Sequence, residues 1–290
     1  MDQAEQLRNV IKKQNQVPKK MARVITITSG KGGVGKSNLA VNLAVQFERL
    51  GVRTIIFDAD FGLANVEVMF GTIPKYNLSD LIYHRKELED IITEGPENVR
   101  FISGGSGILG LSNLNRGQID YLVETVEKLS AMADVIIVDT GAGISDSVME
   151  FVASSREILL VTTPEPSSLT DAYSLLKMLY RNPKFDKTES MVHVLANRTA
   201  SAAEGRQVFE KLESVVKQFL DGNINYIGMI PQDAMLDKAV RIQKPVSISY
   251  PNAKSSKKFE ELAKIILSEY ESEVTSKTGV TQFLSKLFNL

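Results

Sequence analysis

The amino-acid sequence predicts a doubly wound α/β fold, with a mostly parallel sheet and helices on both of its faces. Seven short, nearly continuous apolar runs alternate along the chain with segments of helical periodicity. Strands that are apolar along their whole length are typical of a parallel sheet that is buried on both faces. A glycine-rich stretch between the first apolar run and the first helical segment has the position of a phosphate-binding loop.

The seven apolar runs give the predicted strands in order. They cover residues 24–28, 54–57, 99–102, 135–138, 158–162, 192–196 and 226–230. The segment 39–50, which follows the first run, has the periodicity of a helix. Two later helices have readable N-termini: Ser201 and Glu204 have the spacing of a capping box, and a helix over 255–269 follows Pro251.

Length and composition are those of one large α/β domain with short appendages. The chain has 290 residues, of which 43% are hydrophobic, and this is enough for one large core. Its 34 basic residues balance 35 acidic ones, so we expect no nucleic-acid partner. The sequence contains no cysteine, which excludes disulfides, iron–sulfur ligation by thiolates and cysteine nucleophiles.

Residues 1–20 form a polar arm ahead of the predicted core. Four apolar residues recur in it at helical spacing: Ala4, Leu7, Val10 and Ile11. With Asp2 in the position of a helix cap, the pattern predicts a short amphipathic helix that docks on a partner, or else a self-docked or disordered terminus. The arm has no apolar segment typical of a signal peptide, and no run in the chain reaches the ~18 apolar residues of a membrane span. We therefore expect a cytoplasmic protein.

The stretch between the first strand and the first helix has the spacing of a Walker A loop. Its residues are Gly30, Lys31, Gly32, Gly33, Val34, Gly35, Lys36, Ser37 and Asn38. Glycines let backbone N–H groups curl around phosphate oxygens, and the helix that follows directs its positive end there. Lys36 is placed to reach the β- and γ-phosphates, and Ser37 to hold Mg²⁺.

Lys31 is a second lysine that phosphate binding within one chain does not require. Because Lys36 already neutralises the phosphates, Lys31 predicts a charge that is supplied to the nucleotide of a second subunit. The alternative is a solvated surface lysine.

Acidic residues follow two of the predicted strands. Asp58 and Asp60 come after the second strand, and their spacing puts both on one side of an extended segment. One of them can serve Mg²⁺ through water while the other orients the attacking water. Asp139 follows the strand 135–138 and precedes a glycine turn, which is the arrangement of a Walker B aspartate and a loop that senses the γ-phosphate. The alternative for each acid is a helix cap or a turn former.

The last eleven residues, 280–290, have a strongly amphipathic pattern. One helical face collects Val280, Phe283, Leu284, Leu287, Phe288 and Leu290. This helix could lie in the headgroup plane of a membrane, with Lys277 and Lys286 near anionic lipid, or it could fold onto its own core. The polar lead over 271–278 favours a detachable tail.

These motifs together resemble the deviant Walker A ATPases of the MinD/ParA class, and the resemblance covers almost the whole chain. In that class two subunits sandwich two ATP molecules, so the resemblance implies ATP and Mg²⁺ as cofactors and a homodimer with ATP. It implies that Lys31 contacts the partner's nucleotide, that Lys36 and Ser37 hold the local phosphates and Mg²⁺, and that Asp60 positions the hydrolytic water.

The resemblance also implies roles for residues at other strand ends. Asp58 and Asp139 would support the metal. Four residues match positions that hold adenine in the class: Asn197, Pro231, Gln232 and Asp233.

Within the class, the stretch 161–173 is most similar to the flagellar branch, the FlhG (YlxH or FleN) family. The sequence from Asp139 to Gly143 agrees with that branch and departs from the proline-containing form usual in MinD. The N-terminal arm fits the element by which the branch engages and activates FlhF, a GTPase of the signal-recognition type, through Asp2, Gln3, Ala4, Leu7 and Arg8.

The resemblance to the flagellar branch implies an ATPase switch that regulates flagellar number and placement. It implies three parts: the arm 1–20, an ATPase domain over 21–272 and a membrane-targeting helix over 273–290. An anionic membrane surface at the inner face of the cell membrane and components of the flagellar rotor (C-ring) are the further partners that it implies.

Other functions share the same nucleotide site. An iron–sulfur carrier needs thiolate ligands, and the absence of cysteine excludes it. A ParA-like DNA partition ATPase needs clustered basic residues, whereas Lys19–Lys20 and Lys257–Lys258 are isolated pairs. This partition function and a septum-site-type positioning ATPase are the alternatives to the flagellar role.

Overall fold

A computed structural model describes residues 22–61, 65–105, 117–118, 121, 128–271 and 279–288. Within this part of the chain, eight strands form one sheet in the order β3-β4-β2-β5-β1-β6-β7-β8. All neighbouring strands are parallel except β3, which runs antiparallel to β4. The predicted α/β fold with a mostly parallel sheet is thereby confirmed.

The strands coincide with the predicted apolar runs, with one addition. They are β1 Arg23–Thr28, β2 Thr54–Ala59, β3 Ile92–Glu94, β4 Arg100–Ile102, β5 Val135–Thr140, β6 Glu157–Thr162, β7 Met191–Thr199 and β8 Asn225–Pro231. The short edge strand β3 was not predicted because its three residues, Ile-Thr-Glu, form no apolar run.

Helices connect the strands. Their bounds are α1 Lys36–Arg49, α2 Asn65–Phe70, α3 Leu78–His84, α4 Leu88–Ile91, α5 Asp146–Ser154, α6 Pro166–Arg181, α7 Ala202–Leu220, α8 Ala234–Arg241, α9 Val246–Ser249, α10 Lys254–Glu271 and α11 Val280–Phe288. The first helix therefore begins at Lys36, three residues before the predicted start.

The predicted capping box at α7 is only half correct. The Ser201 hydroxyl accepts a hydrogen bond from the N–H of Glu204 at 3.1 Å, as predicted. The Glu204 carboxylate, however, accepts from the N–H of Ala200 at 2.6 Å rather than from Ser201. The N–H groups of Ala200 and Glu204 at the start of the helix therefore both have hydrogen-bond partners.

Alternate residues of the central strands pack on opposite faces of the sheet. On β5, Ile136 and Val138 face the layer that contains α3, α4 and α11, while Val135 and Ile137 face the layer that contains α1 and α10. Both faces are covered, which is why the strands read as continuous apolar runs. The carboxyl ends of β1, β2 and β5 therefore meet at one edge, where the predicted site lies.

The C-terminal helix α11 is docked on the core. Its predicted apolar face is confirmed: Val280, Phe283, Leu284 and Leu287 are buried, and Phe288 is half-buried. They line a pocket with Val24, Phe57, Leu129, Ile136, Val138 and Phe151. Leu290 and the N-terminal arm, with Asp2, Gln3, Ala4, Leu7 and Arg8, lie outside the described residues. No helix in the described part of the chain is long and apolar enough to cross a bilayer.

Replacing Leu284 by Ala tests whether α11 detaches as a unit. Because Leu284 is buried between α11 and the sheet, its loss should speed amide hydrogen exchange over 280–288 by about 10- to 100-fold while exchange in β1 and β5 stays unchanged.

The matched control is Leu262→Ala in α10, where a buried leucine belongs to the main core. This variant should lower the global free energy of unfolding by about 2–5 kcal/mol. Equal acceleration of the sheet by Leu284→Ala would show that α11 is an inseparable part of the core.

Candidate functional site

The glycine-rich loop joins the end of β1 to the start of α1. Gly35 immediately precedes the helix with φ of 101°, a left-handed conformation that glycine adopts without strain. Lys36 and Ser37 therefore occupy the first turn of α1, where unpaired backbone N–H groups and the positive helix end favour an anion. The local structure is that of a phosphate-binding loop.

Two glycines of the loop are required by close packing. A methyl group at Gly30 would overlap the carbonyl oxygen of Asp171 in α6. A methyl group at Gly35 would overlap Nδ2 of Asn197. The loop is thus held between α6 and the end of β7, which fixes its backbone before any ligand binds.

Lys36 lies inside this cradle with only 8% of its surface exposed. Burial lowers the pKa of its ammonium group, and the nearby carboxylates of Asp139 and Asp60 oppose that change. The lysine therefore faces two acids whose charges it partly balances.

Asp58 and Asp139 are neighbours across two strands. The register of β2 and β5 pairs Asp58 with Asp139. Burial raises the pKa of Asp139 to about 6, although the hydroxyl of Ser37 and the charge of Lys36 favour its ionised form. Burial and the neighbouring Asp139 also raise the pKa of Asp58, against hydrogen bonds from the N–H groups of Asp60 and Val66.

Asp139 and Ser37 fit a Mg²⁺ ion. Both carboxylate oxygens of Asp139 are buried, and neither forms a hydrogen bond of ordinary geometry among the described residues, although the Ser37 hydroxyl lies close enough to favour the ionised carboxylate. Orphaned buried oxygens are costly unless a cation or water satisfies them, and Mg²⁺ prefers oxygen ligands shared with substrate phosphates. When bound, the ion neutralises charge on the phosphates. Asp58 would support it from the adjacent strand.

Asp60 lies at the mouth of the site. Its Oδ2 accepts a hydrogen bond from Nδ2 of Asn65 at 3.1 Å. A methyl group at Gly141 would lie 3.6 Å from its Oδ1, so the carboxylate faces the glycine turn that follows β5. Asp60 is therefore positioned between the two loops that would flank a γ-phosphate, as a residue that orients water must be.

Lys31 leaves the loop in another direction. Its Nζ lies 2.8 Å from Oε2 of Glu165 and 2.8 Å from Oγ of Ser167, at the start of α6. The hydrogen bond from Lys31 lowers the pKa of Glu165. The side chain is 37% exposed, so it lies at the surface in the single chain. Sequence reasoning missed Glu165 and Ser167, although both fall within the distinctive stretch 161–173.

The four residues predicted to hold adenine converge on one cleft of about 270 Å³. Its lining includes Gly35, Asn38, Asn197, Arg198, Pro231, Gln232 and Asp233. Asn197 also supports the phosphate loop, because its Nδ2 donates to the carbonyl oxygen of Val34 at 2.6 Å. Arg198, which sequence reasoning missed, lines the cleft with φ of 56°; its position directly after Asn197 at a strand end was the available signal.

The side chain of Asp233 ties together two helix starts beside the cleft, a structural contact that the sequence did not predict. Its Oδ1 accepts from the N–H of Met235 at the start of α8, and its Oδ2 accepts from the N–H and hydroxyl of Ser255 in α10, each at 2.9 Å. Burial alone would raise its pKa, but these hydrogen bonds outweigh that effect and lower it. Asp233 still lines the cleft beside Pro231 and Gln232.

Comparison with known proteins gives one family over most of the chain. A family model described as "ParA: NUBPL iron-transfer P-loop NTPase" matches residues 20–267. The antiactivator FleN of Pseudomonas aeruginosa is 44% identical over 241 residues, which cover 83% of this chain and 85% of that protein. The flagellum site-determining protein YlxH of Helicobacter pylori is 34% identical over 269 residues, which cover 91% of this chain and 89% of that protein.

Solved structures give the same fold. The cell division protein MinD of Aquifex aeolicus is 25% identical with a TM-score of 0.68, and the match covers 89% of this chain and 100% of that one. MinD of Pyrococcus horikoshii, solved in complex with Mg-ADP, has a TM-score of 0.67 at 24% identity, with the same coverage. At that identity the second likeness concerns the fold alone.

Substituting Asp139 by Asn tests the electrostatics of the site. The pKa of Asp139 in the folded chain, about 6, lies above its ordinary value of 3.8, so the folded state holds the proton more tightly. The free energy of unfolding therefore falls as the pH rises from about 4 to about 6 and stays low above that. Asn carries no such penalty, so the variant should be more stable than the wild type by about 1–3 kcal/mol at pH 7.5 and equal to it near pH 4.

The measurement is urea unfolding across this pH range in buffer free of nucleotide and Mg²⁺. Asp237→Asn, an exposed acid at the cleft, is the control and should change stability by less than about 0.5 kcal/mol throughout. A difference between Asp139→Asn and wild type that does not depend on pH would contradict the assignment.

Proposed function

The chain belongs to the MinD/ParA family of P-loop NTPases and is a homologue of FleN and YlxH, and on that footing we propose that it is an ATPase switch that dimerises with ATP. The observation that most supports this proposal is that Lys36, Asp60 and Asp139 lie together at one edge of the sheet. Lys31 lies at the surface beside them. Within one chain the first three can bind and hydrolyse a Mg²⁺-bound triphosphate. Lys31 supplies the contact that a second subunit adds.

The position of Lys31 supports the proposed dimer. Its ammonium group is bound to Glu165 and Ser167 at the surface, away from the cradle that holds Lys36. In the ATP-bound dimer it would exchange these partners for the phosphates of the other subunit's nucleotide. The exposed ion pair with Glu165 contributes little to stability, whereas a triphosphate carries several negative charges and would accept charge-assisted hydrogen bonds inside the dimer interface, so the exchange is favourable. Hydrolysis would remove the γ-phosphate and return Lys31 to Glu165.

The flagellar role rests on the relatives. FleN is named an antiactivator and YlxH a flagellum site-determining protein, and both align over most of their length. We extend that role to this chain as regulation of flagellar number and placement. The arm residues Asp2, Gln3, Ala4, Leu7 and Arg8 would stimulate an FlhF-type GTPase, and rotor (C-ring) components are further candidate partners.

Release of the docked helix α11 would allow the ATP-bound protein to bind a membrane. Its apolar face is buried against the sheet in the single chain. Released in the ATP-bound dimer, the same face would enter the headgroup region of the membrane, with Lys286 near anionic lipid. Two such helices per dimer bind more strongly than one, because the second insertion is effectively intramolecular. The protein would then associate peripherally with the inner face of the cell membrane.

Three variants separate the roles of the site residues. Lys36→Ala should weaken ATP binding on the order of 100-fold, since it removes a charged contact to the phosphates. Asp60→Ala should bind ATP and accumulate as a dimer, because hydrolysis can no longer reset it. Lys31→Ala should bind ATP and stay monomeric.

Light scattering coupled to size-exclusion chromatography with ATP and Mg²⁺ gives the oligomeric state, and equilibrium binding of ATP is measured in parallel. Full ATP binding by Lys36→Ala would contradict the loop assignment. An Asp60→Ala protein that stays monomeric with ATP would contradict the sandwich dimer.

Co-sedimentation with liposomes that contain anionic lipid tests the output. The full chain should pellet with ATP and much less with ADP, and a chain lacking residues 275–290 should stay in the supernatant with both nucleotides. Neutral liposomes are the control for the contribution of charge. Equal pelleting of the two chains would contradict membrane targeting by α11.

A further inference from the structure

Four phenylalanine rings form a continuous cluster between the nucleotide site and α11. Phe151 is at its centre, and the centroid of its ring lies 6.1 Å from that of Phe57, 6.0 Å from Phe61 and 6.2 Å from Phe283. Phe151 is only 2% exposed. Ring pairs at these separations are in direct contact, and a close-packed interior transmits a displacement of one ring to the next.

Each ring in the cluster is attached to a different part of the protein. Phe61 directly follows Asp60, which faces the glycine turn. Phe151 belongs to α5, which begins three residues after that turn ends at Gly143. Phe283 belongs to α11 and stacks on Phe151 with an interplanar angle of 26°. Among the described residues, Phe151 is therefore in contact with both the Asp60 segment and the C-terminal helix.

Two polar side-chain atoms of α11, Nζ of Lys286 and Oε1 of Gln282, are buried without a hydrogen-bond partner among the described residues. Buried polar groups of this kind oppose docking, because both would be hydrated if the helix were released. Polar interactions that favour the docked state include the hydrogen bond that Nζ of Lys184 donates to the carbonyl oxygen of Leu287 at 3.1 Å and the attraction between Lys286 and Asp186. The polar groups of α11 therefore contribute to docking with both signs.

We propose that Phe151 is the positioning residue through which the nucleotide site controls the docking of α11. This inference rests on the proposed ATPase switch and adds the route by which its output is released. In the single chain without nucleotide, Asp60 accepts a hydrogen bond from Asn65. When Asp60 engages the attacking water, the segment that carries Phe61 moves with it, Phe151 follows, and the surface on which Phe283 stacks is lost. By linkage, a docked α11 opposes the ATP-bound position of Asp60 to the same degree.

Hydrogen exchange on the full-length protein tests the proposal without lipid. Amide exchange over 280–288 is compared with and without a non-hydrolysable ATP analogue and Mg²⁺, and dimerisation is followed by light scattering in the same samples. In the wild type the analogue should speed exchange in this helix by about fivefold or more, the usual lower end of an allosteric coupling. In Phe151→Leu the two exchange rates should differ by less than about twofold although the protein still dimerises.

Two control variants distinguish loss of coupling between the nucleotide site and α11 from a general weakening of the pocket in which α11 docks. Leu284→Ala weakens the docking of α11 outside the ring cluster, so its exchange is faster in both states but keeps the response to the analogue. Phe101→Leu alters an equally buried ring, which pairs with Phe70 at 5.6 Å outside this cluster, and should respond as the wild type does. If Phe151→Leu fails to fold, Phe283→Leu removes the same ring contact from the side of the helix.

The outcomes are distinguishable. A full response in a dimerising Phe151→Leu protein overturns the role of Phe151 and leaves the proposed function intact. A wild type that dimerises without any change in the exchange of 280–288 also overturns it. A wild type that does not dimerise with the analogue contradicts the proposed function itself, and the inference with it.

Discussion

The burial of Lys36 against Asp139 and Asp60 is the interaction on which the rest of the structure depends. Lys36 and Asp139 are buried at the carboxyl edge of the sheet with Asp60 half-buried beside them, and the chain compensates their charges only in part: the pKa of Asp139 is raised to about 6, and neither of its oxygens forms a hydrogen bond of ordinary geometry among the described residues. The site is stable enough to fold and still electrostatically incomplete. In the proposed function a Mg²⁺-bound triphosphate would complete it: Asp139 and Ser37 would hold the metal, and Lys36 would bind the phosphates.

The rest of the fold keeps that edge in place. The register of β2 and β5 brings Asp58 beside Asp139. Gly30 and Gly35 allow α6 and Asn197 to pack directly on the loop backbone. Asp233 ties the starts of α8 and α10 together beside the base cleft. In the proposed switch, ligand binding would act on the parts outside this preorganised frame, which are the Asp60 segment, Lys31 and α11.

The fold was predictable because each central strand is buried on both faces and is therefore apolar along its whole length. The Walker A spacing located the phosphate site. Three other features were not predictable from the sequence. The edge strand β3 has only three residues and no apolar run. The structural role of the Asp233 side chain depends on a contact 22 residues away in sequence, with Ser255. The docking of α11 in the single chain is not predictable because an apolar helical face fits a membrane and a protein core equally well, and the pocket around Phe151 is formed by residues distant in sequence.

The most direct test of the account is the ATPase rate per chain as a function of protein concentration. If each nucleotide site is completed by Lys31 of a second subunit, the rate per chain must rise with concentration and level off once the dimer predominates. Lys31→Ala should remove that rise and leave only a low, constant rate. A wild-type rate per chain that is constant across concentrations at which light scattering shows monomer converting to dimer would contradict the shared site.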